Sequence, residues 1–507
     1  MDAIRENVTV TSKTMEKNVK CRVESGIIVP DRMPDVLKVI QVDAVSAVKK
    51  KTIQNEKLYI EGTVYATVLY LPENPDDGIK SIKTSYGFDE VVDSQYITDD
   101  ARCTVVSEIE YADIQLVNSR KLNIQTVVDL KIDVCTDKTV SFISGLDCED
   151  AACKYERASF NSTKCSAVSD FLIKDSIELR GACPQICEIL KCDMRIEDIE
   201  TKCVTNKVVI KGNVAANVLY VSTAGTIELS DATLPFTDVI EMGCECEGDN
   251  ITARCDIIES NVTPEFNADG EKRLIKFEML ISATVNAYCE NSISYLSDCY
   301  YFGYKTAARK NSSSVIQTKF CPRVTKNIRE CIAFDNKMPT PSSVYNVVIS
   351  PCVTGIDVQK DTANINTKLE VSVLYLSEVS ENPVCCVKKE ISVSYMHKLT
   401  EECKVYAMAE CEHISYSINS VGELEIRAVI GYRIEETCEI PFEIIEDVEK
   451  GEKTEWSEII ILRANGSESL WDIGKKYCVS CDEIASVNGI EADSDIVCGQ
   501  RLIIPCI

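Results

Sequence analysis

K-L-Y-I-E-G-T-V-Y-A-T-V-L-Y-L, Lys57 to Leu71, reads as a single β-strand. Leu58, Ile60, Val64, Ala66 and Val68 fall at alternate positions, so an extended chain turns them all to one face, as a half-buried sheet requires. The stretch V-V-I-K-G-N-V-A-A-N-V-L-Y-V, beginning at Val208, follows the same scheme, with Gly212 where Gly62 stood.

The tripeptide V-L-Y occurs at Val68-Leu69-Tyr70, Val218-Leu219-Tyr220 and Val373-Leu374-Tyr375, at spacings of 150 and 155 residues. Thirty-five positions before each lies a proline step, Met33-Pro34, Cys183-Pro184 and Met338-Pro339. Downstream, Leu122, Leu274 and Leu424 hold matching places. Three markers in constant order establish a triplication, and a period this long means whole domains rather than the small units of a solenoid.

The fold expected is therefore mostly β: three tandem β-rich domains of about 150 residues with mainly antiparallel sheets and few long helices. The boundaries follow from the period as 1–150, 151–303 and 304–445. Residues 446–457, opening E-D-V-E-K-G-E-K-T-E, are charged without apolar periodicity and read as a linker. Residues 458–507 form a separate module. Asp35 to Val48 fits either a strand or a short helix.

The last module starts at I-I-I-L-R, a short apolar strand from Ile459. Ser469 can cap a helix that buries Leu470, Ile473 and Tyr477, and a second helix turns Ile484 and Val487 inward. Asn488-Gly489 stops that helix, and Gly499-Gln500 leads into a closing strand, Leu502 to Ile504. The expected order is strand, helix, helix, strand: a small α+β unit.

S-L-W-x-I, the V-N-G-I turn and G-Q-x-L-x-I-P, in that order, resemble a LysM domain. The M-P-D-V step and the strand x-G-x-V-x-x-x-V-L-Y resemble the SPOCS domain of clostridial spore-coat proteins. Three such domains ahead of a LysM domain resemble the SipL-like family of coat morphogenetic proteins over nearly the whole chain. The resemblance implies a non-enzymatic scaffold in the mother-cell cytoplasm at the forespore surface, later part of the spore coat. It also implies a partner, a coat-basement ATPase of the SpoIVA type, engaged chiefly through the LysM domain.

By the same resemblance the partner or glycan groove comprises Gly466, Ser467, Glu468, Ser469 and Leu470 on one side and Asn488, Gly489 and Ile490 on the other. The usual Gly-Asp-Thr before Leu-Trp is here Ser467-Glu468-Ser469, with the glycine displaced to Gly466. That departure, and the shortage of aromatic residues for stacking on a sugar, favour a protein partner over peptidoglycan. Trp471 is expected in the core of the first helix, with a sugar platform as the alternative. A peptidoglycan tether and a coat subunit that self-associates through sheet edges remain the competing readings.

Composition limits the rest. The chain has 507 residues, 45% hydrophobic and 27% charged, an ordinary globular balance. A net charge of −27 argues against nucleic acid, whose phosphates need clustered Lys and Arg. No apolar run approaches the roughly 20 residues of a transmembrane span. The N-terminus lacks an apolar signal core, so retention in the cytoplasm is expected. The 27 cysteines are then mostly small core residues, as Cys103 and Cys255 at equivalent strand positions illustrate, with oxidative crosslinking in a mature coat as the alternative. Cys385-Cys386 and Cys244-x-Cys246 are the candidates for crosslinking.

Four thiols of the last module, Cys478, Cys481, Cys498 and Cys506, raise the question of zinc, but only the first pair has ligand spacing; no metal and no cofactor are expected. Catalytic signatures are missing: there is no phosphate loop, no dinucleotide fingerprint and no nucleophile elbow. His397 and His413, the two histidines of the chain, lie in no recognisable motif. No enzymatic activity is expected.

Overall fold

The computed structural model of the chain describes residues 3–334, 339–377, 384–454, 459–492 and 494–505, and at 75, 313, 315 and 316 the backbone alone. The first repeat comprises β1 (Ala3–Ile28), β2 (Val36–Gln54), β3 (Lys57–Pro72), β4 (Lys80–Asp93), β5 (Arg102–Asn118) and β6 (Lys121–Leu146). The second follows as β7 (Ala151–Glu178), β8 (Ile186–Val204), β9 (Lys207–Ser222), β10 (Ile227–Glu241), β11 (Asn250–Glu265) and β12 (Leu274–Tyr301). The third holds β13 (Tyr304–Phe320), β14 (Val324–Ile332), β15 (Pro341–Gln359), β16 (Thr362–Ser377), β17 (Val384–Lys398), β18 (Lys404–Ile418) and β19 (Leu424–Lys453). Here Cys321-Pro322-Arg323 divides what is one strand in the other repeats, and proline at that point cannot donate to a ladder.

Each repeat is a sandwich of two antiparallel sheets, ordered β1-β6-β5 with β2-β3-β4 in the first, and likewise in the others. Leu58, Ile60, Val64, Ala66 and Val68 are all buried, as their alternation requires. The segment Asp35 to Val48 is strand from Val36 onward. Its periodicity is ambiguous because register shifts at Val36/Lys38, Val39/Gln41 and Val48/Lys50 switch the face that its side chains present. The first two shifts recur at Ile186/Glu188 and Ile189/Lys191, and at Pro341/Ser343 and Val344/Asn346.

The two sequence markers of each repeat touch one another. Tyr70 donates its hydroxyl hydrogen to the Pro34 carbonyl at 3.1 Å, and Tyr220 does the same to Pro184 at 3.3 Å. Burial pushes both phenols up to about 12, so they remain donors. In the third repeat Met338 lies outside the described residues, and the Tyr375 ring packs edge-on to Phe334 at 5.2 Å.

Gly62 and Gly212 exist for a cross-strand aromatic. Gly62 pairs with Phe88 and Gly212 with Phe236, and a Cβ on either glycine would collide with the ring. The third repeat has Thr367 opposite Val393, a larger residue facing a smaller one.

The three repeats close into a ring. β4 meets β8, β10 meets β15 and β17 meets β2, so each repeat offers its fourth strand or its counterpart to the second strand of the next, and the third returns to the first. Leu69, Leu219 and Leu374, the central residues of the three V-L-Y triplets, share one buried cluster where the repeats converge. Each such burial is worth about 2–3 kcal/mol. Beside it, equivalent positions 41, 191 and 346 carry Gln, Lys and Asn, exposed by only 4%, 2% and 3%. Lys191 Nζ lies 2.8 Å from Asp43 and 3.0 Å from Asp193; Gln41 donates to Asp43 and Ser372, and Asn346 to Asp193. This network links all three repeats.

The outer ends of β1/β6, β7/β12 and β13/β19 extend beyond the sandwiches as three ribbons. They pack together through Val10, Phe142, Phe160, Tyr295, Phe442 and Ile444, with Ile143, Leu296, Cys299 and Ile445 nearer the tip. The expected linker from 446 is corrected here: through Lys453 it is the end of β19, paired with β13 from Thr306↔Lys450 to Tyr304↔Lys453. Its charges lie on an exposed two-stranded ribbon, which needs little apolar periodicity. Residues 455–458, including Trp456, lie outside the described set.

Candidate functional site

The C-terminal module consists of β20 (Ile460–Arg463), α1 (Leu470–Tyr477), α2 (Cys481–Asn488) and β21 (Arg501–Ile504), with β20 and β21 antiparallel. Ser469 caps α1 in a capping box: its hydroxyl accepts from the Asp472 amide, and the Asp472 carboxylate accepts from the Ser469 amide at 2.9 Å. Gly489 ends α2 in the left-handed region at φ 64°. Leu470, Ile473, Val479, Ile484, Leu502 and Ile504 form the core. Val487, expected inward, is exposed, and Ala485 takes the second buried position of α2 beside Ile484.

The module is docked on the tip of the ribbons by one face of α1. Trp471 Nε1 donates to the Asp298 carboxylate at 2.9 Å, and Lys475 Nζ reaches the other oxygen of that carboxylate at 2.5 Å. Burial pushes the Asp298 carboxyl up, and the hydrogen bonds from Lys475 and Trp471 outweigh it, holding the group below its usual range. The Trp471 ring stands edge-on to Tyr300, centroids 5.0 Å apart. Fully buried Tyr300 donates to the Val479 carbonyl at 3.0 Å, and the Gly303 amide donates to the Cys478 carbonyl at 2.8 Å. Gly474 has no side chain because the Tyr300 hydroxyl fills the space a Cβ would need. Trp471 is thus neither helix core nor sugar platform but the contact between module and body.

The eight groove residues are largely engaged within the module. Gly466 adopts φ +81° with its would-be Cβ 2.9 Å from Cys498, so the turn itself requires glycine. Ser467 donates to Asn465, Glu468 pairs with Lys476 at 3.6 Å, and Ser469 serves the capping box. Leu470 is core. Asn488 uses its whole amide, donating to the Ile484 and Ile503 carbonyls and accepting from the Ile503 amide, each at 2.7 Å. Gly489 is exposed, and Ile490 packs against the core.

The outward surface that the sequence reading passed over is the β20–β21 ribbon. Ile461 and Ile503 are directly paired and both face solvent, 69% and 40% exposed, and Ile459 beside them is 69% exposed. Val487 and Val497 add exposed apolar surface on the same small unit. The alternation in I-I-I-L and L-I-I was the available signal: Leu462, Leu502 and Ile504 point inward, so the intervening isoleucines point out.

Two clefts open on the body. One of about 500 Å³ is lined by Lys154, Glu156, Asp298, Lys310 and Glu443; the other, about 370 Å³, by Thr252, Lys319, Phe320, Glu401 and Glu436. Among the described residues one group has metal-binding geometry: Cys321, His397 and Glu436. Of the module's thiols, Cys478 is buried, Cys481 lies 3.4 Å from the Tyr300 hydroxyl and Cys498 is exposed; Cys506 lies outside the described residues. Cys165–Cys244 and Cys403–Cys438 are disulfides, so Cys244 is bonded within its own repeat. Cys255 is a buried strand residue and Cys103 packs half-buried against the core of its repeat. No helix among the described residues is long and apolar enough to cross a membrane.

Residues 35–117, 185–265 and 342–419 match the family model described as SipL, SPOCS domain, and 467–505 match that of the LysM domain. The three SPOCS matches span β2–β5, β8–β11 and β15–β18; the long strands that build the ribbons lie outside them. No curated protein and no solved structure matches the chain.

Proposed function

Carrying three SPOCS domains ahead of a LysM domain, the chain belongs to the SipL family of sporulation-associated proteins, and on that premise we propose that it is a non-enzymatic adaptor of spore-coat assembly. In this reading the ring of SPOCS domains is a rigid platform at the forespore surface in the mother cell, later retained in the coat. The LysM domain, a peptidoglycan-binding-type module, here docks a protein, the coat-basement ATPase of the SpoIVA type. The observation that carries the reading is the apolar outward strip of Ile459, Ile461 and Ile503. Such a strip suits burial against another protein better than contact with a hydroxyl-rich glycan. The inward commitment of Trp471 removes the strongest sugar-stacking residue. Closure of the ring within one chain leaves no free copy of the inter-repeat contact to propagate a polymer, which supports an adaptor over a self-assembling subunit.

The test is binding of the full chain to the purified ATPase and, separately, to isolated peptidoglycan. Capture by the ATPase, reduced at least tenfold by Ile461→Glu with the melting temperature unchanged, supports the adaptor. Co-sedimentation with peptidoglycan and no binding to the ATPase replaces it with a cell-wall tether.

A further inference from the structure

Cys321, His397 and Glu436 reach one point from three elements of the third repeat. Cys321 opens the break between β13 and β14, His397 stands near the end of β17, and Glu436 lies within β19. Sγ is 3.7 Å from Nε2 and 3.3 Å from Oε1, and Nε2 is 2.7 Å from Oε1. Glu436 is 2% exposed, and its Oε2 has no hydrogen-bond partner, the nearest cation being Lys319 Nζ at 3.8 Å. By strand register, the place of His397 is taken in the other repeats by Val92 and Ile240, both buried. An imidazole has replaced an aliphatic core residue in this repeat alone.

We infer that Cys321 Sγ, His397 Nε2 and Glu436 bind a zinc-class divalent cation that clamps the two sheets of the third repeat together. Tetrahedral bonds of about 2.0–2.3 Å put ligand atoms roughly 3.3–3.6 Å apart. The sulfur–carboxylate distance of 3.3 Å already fits and the sulfur–imidazole distance of 3.7 Å is slightly long, while the imidazole–carboxylate pair, at 2.7 Å, must open by about 0.6 Å as the cation replaces its hydrogen bond. A thiolate beside an imidazole selects zinc-like ions over magnesium or calcium, which take oxygen ligands. The cleft of about 370 Å³, lined by Glu436, Lys319 and Phe320, gives an entry path and a solvent molecule for the fourth position.

A Cys–His–Glu nucleophilic triad needs the two imidazole nitrogens on different partners. Here the same nitrogen, Nε2, faces both the thiol and the carboxylate. That convergence is the geometry of ligands around an ion. The cation would also compensate for the strand break at Pro322, tying Cys321 to β19 where the ladder that β13 and β14 make with β19 is interrupted, and joining both to β17 of the facing sheet.

The test is Co²⁺ and Zn²⁺ binding by the purified full chain. One equivalent of Zn²⁺ is expected to survive dialysis, and Co²⁺ is expected to give a thiolate charge-transfer band. Both should be lost in His397→Gln and Cys321→Ser variants whose circular dichroism is unchanged, and both should be retained in Cys478→Ser/Cys481→Ser. Added Zn²⁺ should raise the melting temperature of the parent and leave His397→Gln where it is, a reading that holds even if the variant is itself less stable. Sub-stoichiometric Zn²⁺, or a Co²⁺ band that survives His397→Gln because other thiols supply it, overturns the site.

Discussion

Trp471 and Asp298 join the last module to the second repeat: the indole nitrogen donates to the carboxylate at 2.9 Å across 173 residues of chain. With Lys475 on the same carboxylate and Tyr300 behind the ring, one acid anchors the whole face of α1. Hydrogen bonds to a charged group are worth about 1.5–3 kcal/mol each. Asp298→Ala is therefore expected to release the LysM domain while both parts stay folded. Small-angle scattering should show a larger radius of gyration, and proteolysis should cut near 454–459; an unchanged profile contradicts the docking.

The same contact carries a pH dependence. The folded-state pKa of Asp298 is depressed, so its contribution is fully present above its unfolded value and is lost as pH falls through the folded one. Docking should hold at neutral pH and weaken below about pH 4. Scattering of the parent should approach that of Asp298→Ala as pH falls below about 4, whereas the variant, already released at pH 7, should show no further release over the same range.

Lys191 sits between Asp43 and Asp193 where the three repeats converge. Lys191→Met leaves both carboxylates facing an apolar centre and is expected to destabilise the body by about 3 kcal/mol. Chemical denaturation measures this, and a loss under 1 kcal/mol would mean that solvent reaches the aspartates freely.

Gly212→Ala should cost about 1–3 kcal/mol, because the new Cβ would stand 2.6 Å from the Phe236 ring and 3.3 Å from the Glu197 carbonyl. Combining it with Phe236→Val imitates the Thr367–Val393 pair and should recover part of the loss. A double-mutant cycle reads the coupling; strict additivity would show that the two residues do not compete for space.

Much of this architecture is written in the chain. The alternation around Leu58–Val68 and the fixed distance between Pro34 and Tyr70 are visible because each marks a contact within one repeat. The ring is not visible, since it depends on Leu69, Leu219 and Leu374 meeting from three domains. The run of three buried residues in V-L-Y, where a half-buried strand should alternate, is the trace it leaves. The shifts before Gln41, Lys191 and Asn346 escape a period-two reading because a bulge resets the face. In the module, caps and core were legible locally. The role of Trp471 was not, because its partner Asp298 belongs to another domain, and His397 lacked a motif because its neighbours come from other strands.

Hydrogen exchange on the full chain, free and bound to the purified coat ATPase, tests the adaptor reading most directly. Protection should appear on the β20–β21 ribbon, at Ile459–Arg463 and Arg501–Ile504, with the SPOCS ring unchanged. Protection confined to the SPOCS ring, or none anywhere, would contradict docking through the LysM domain.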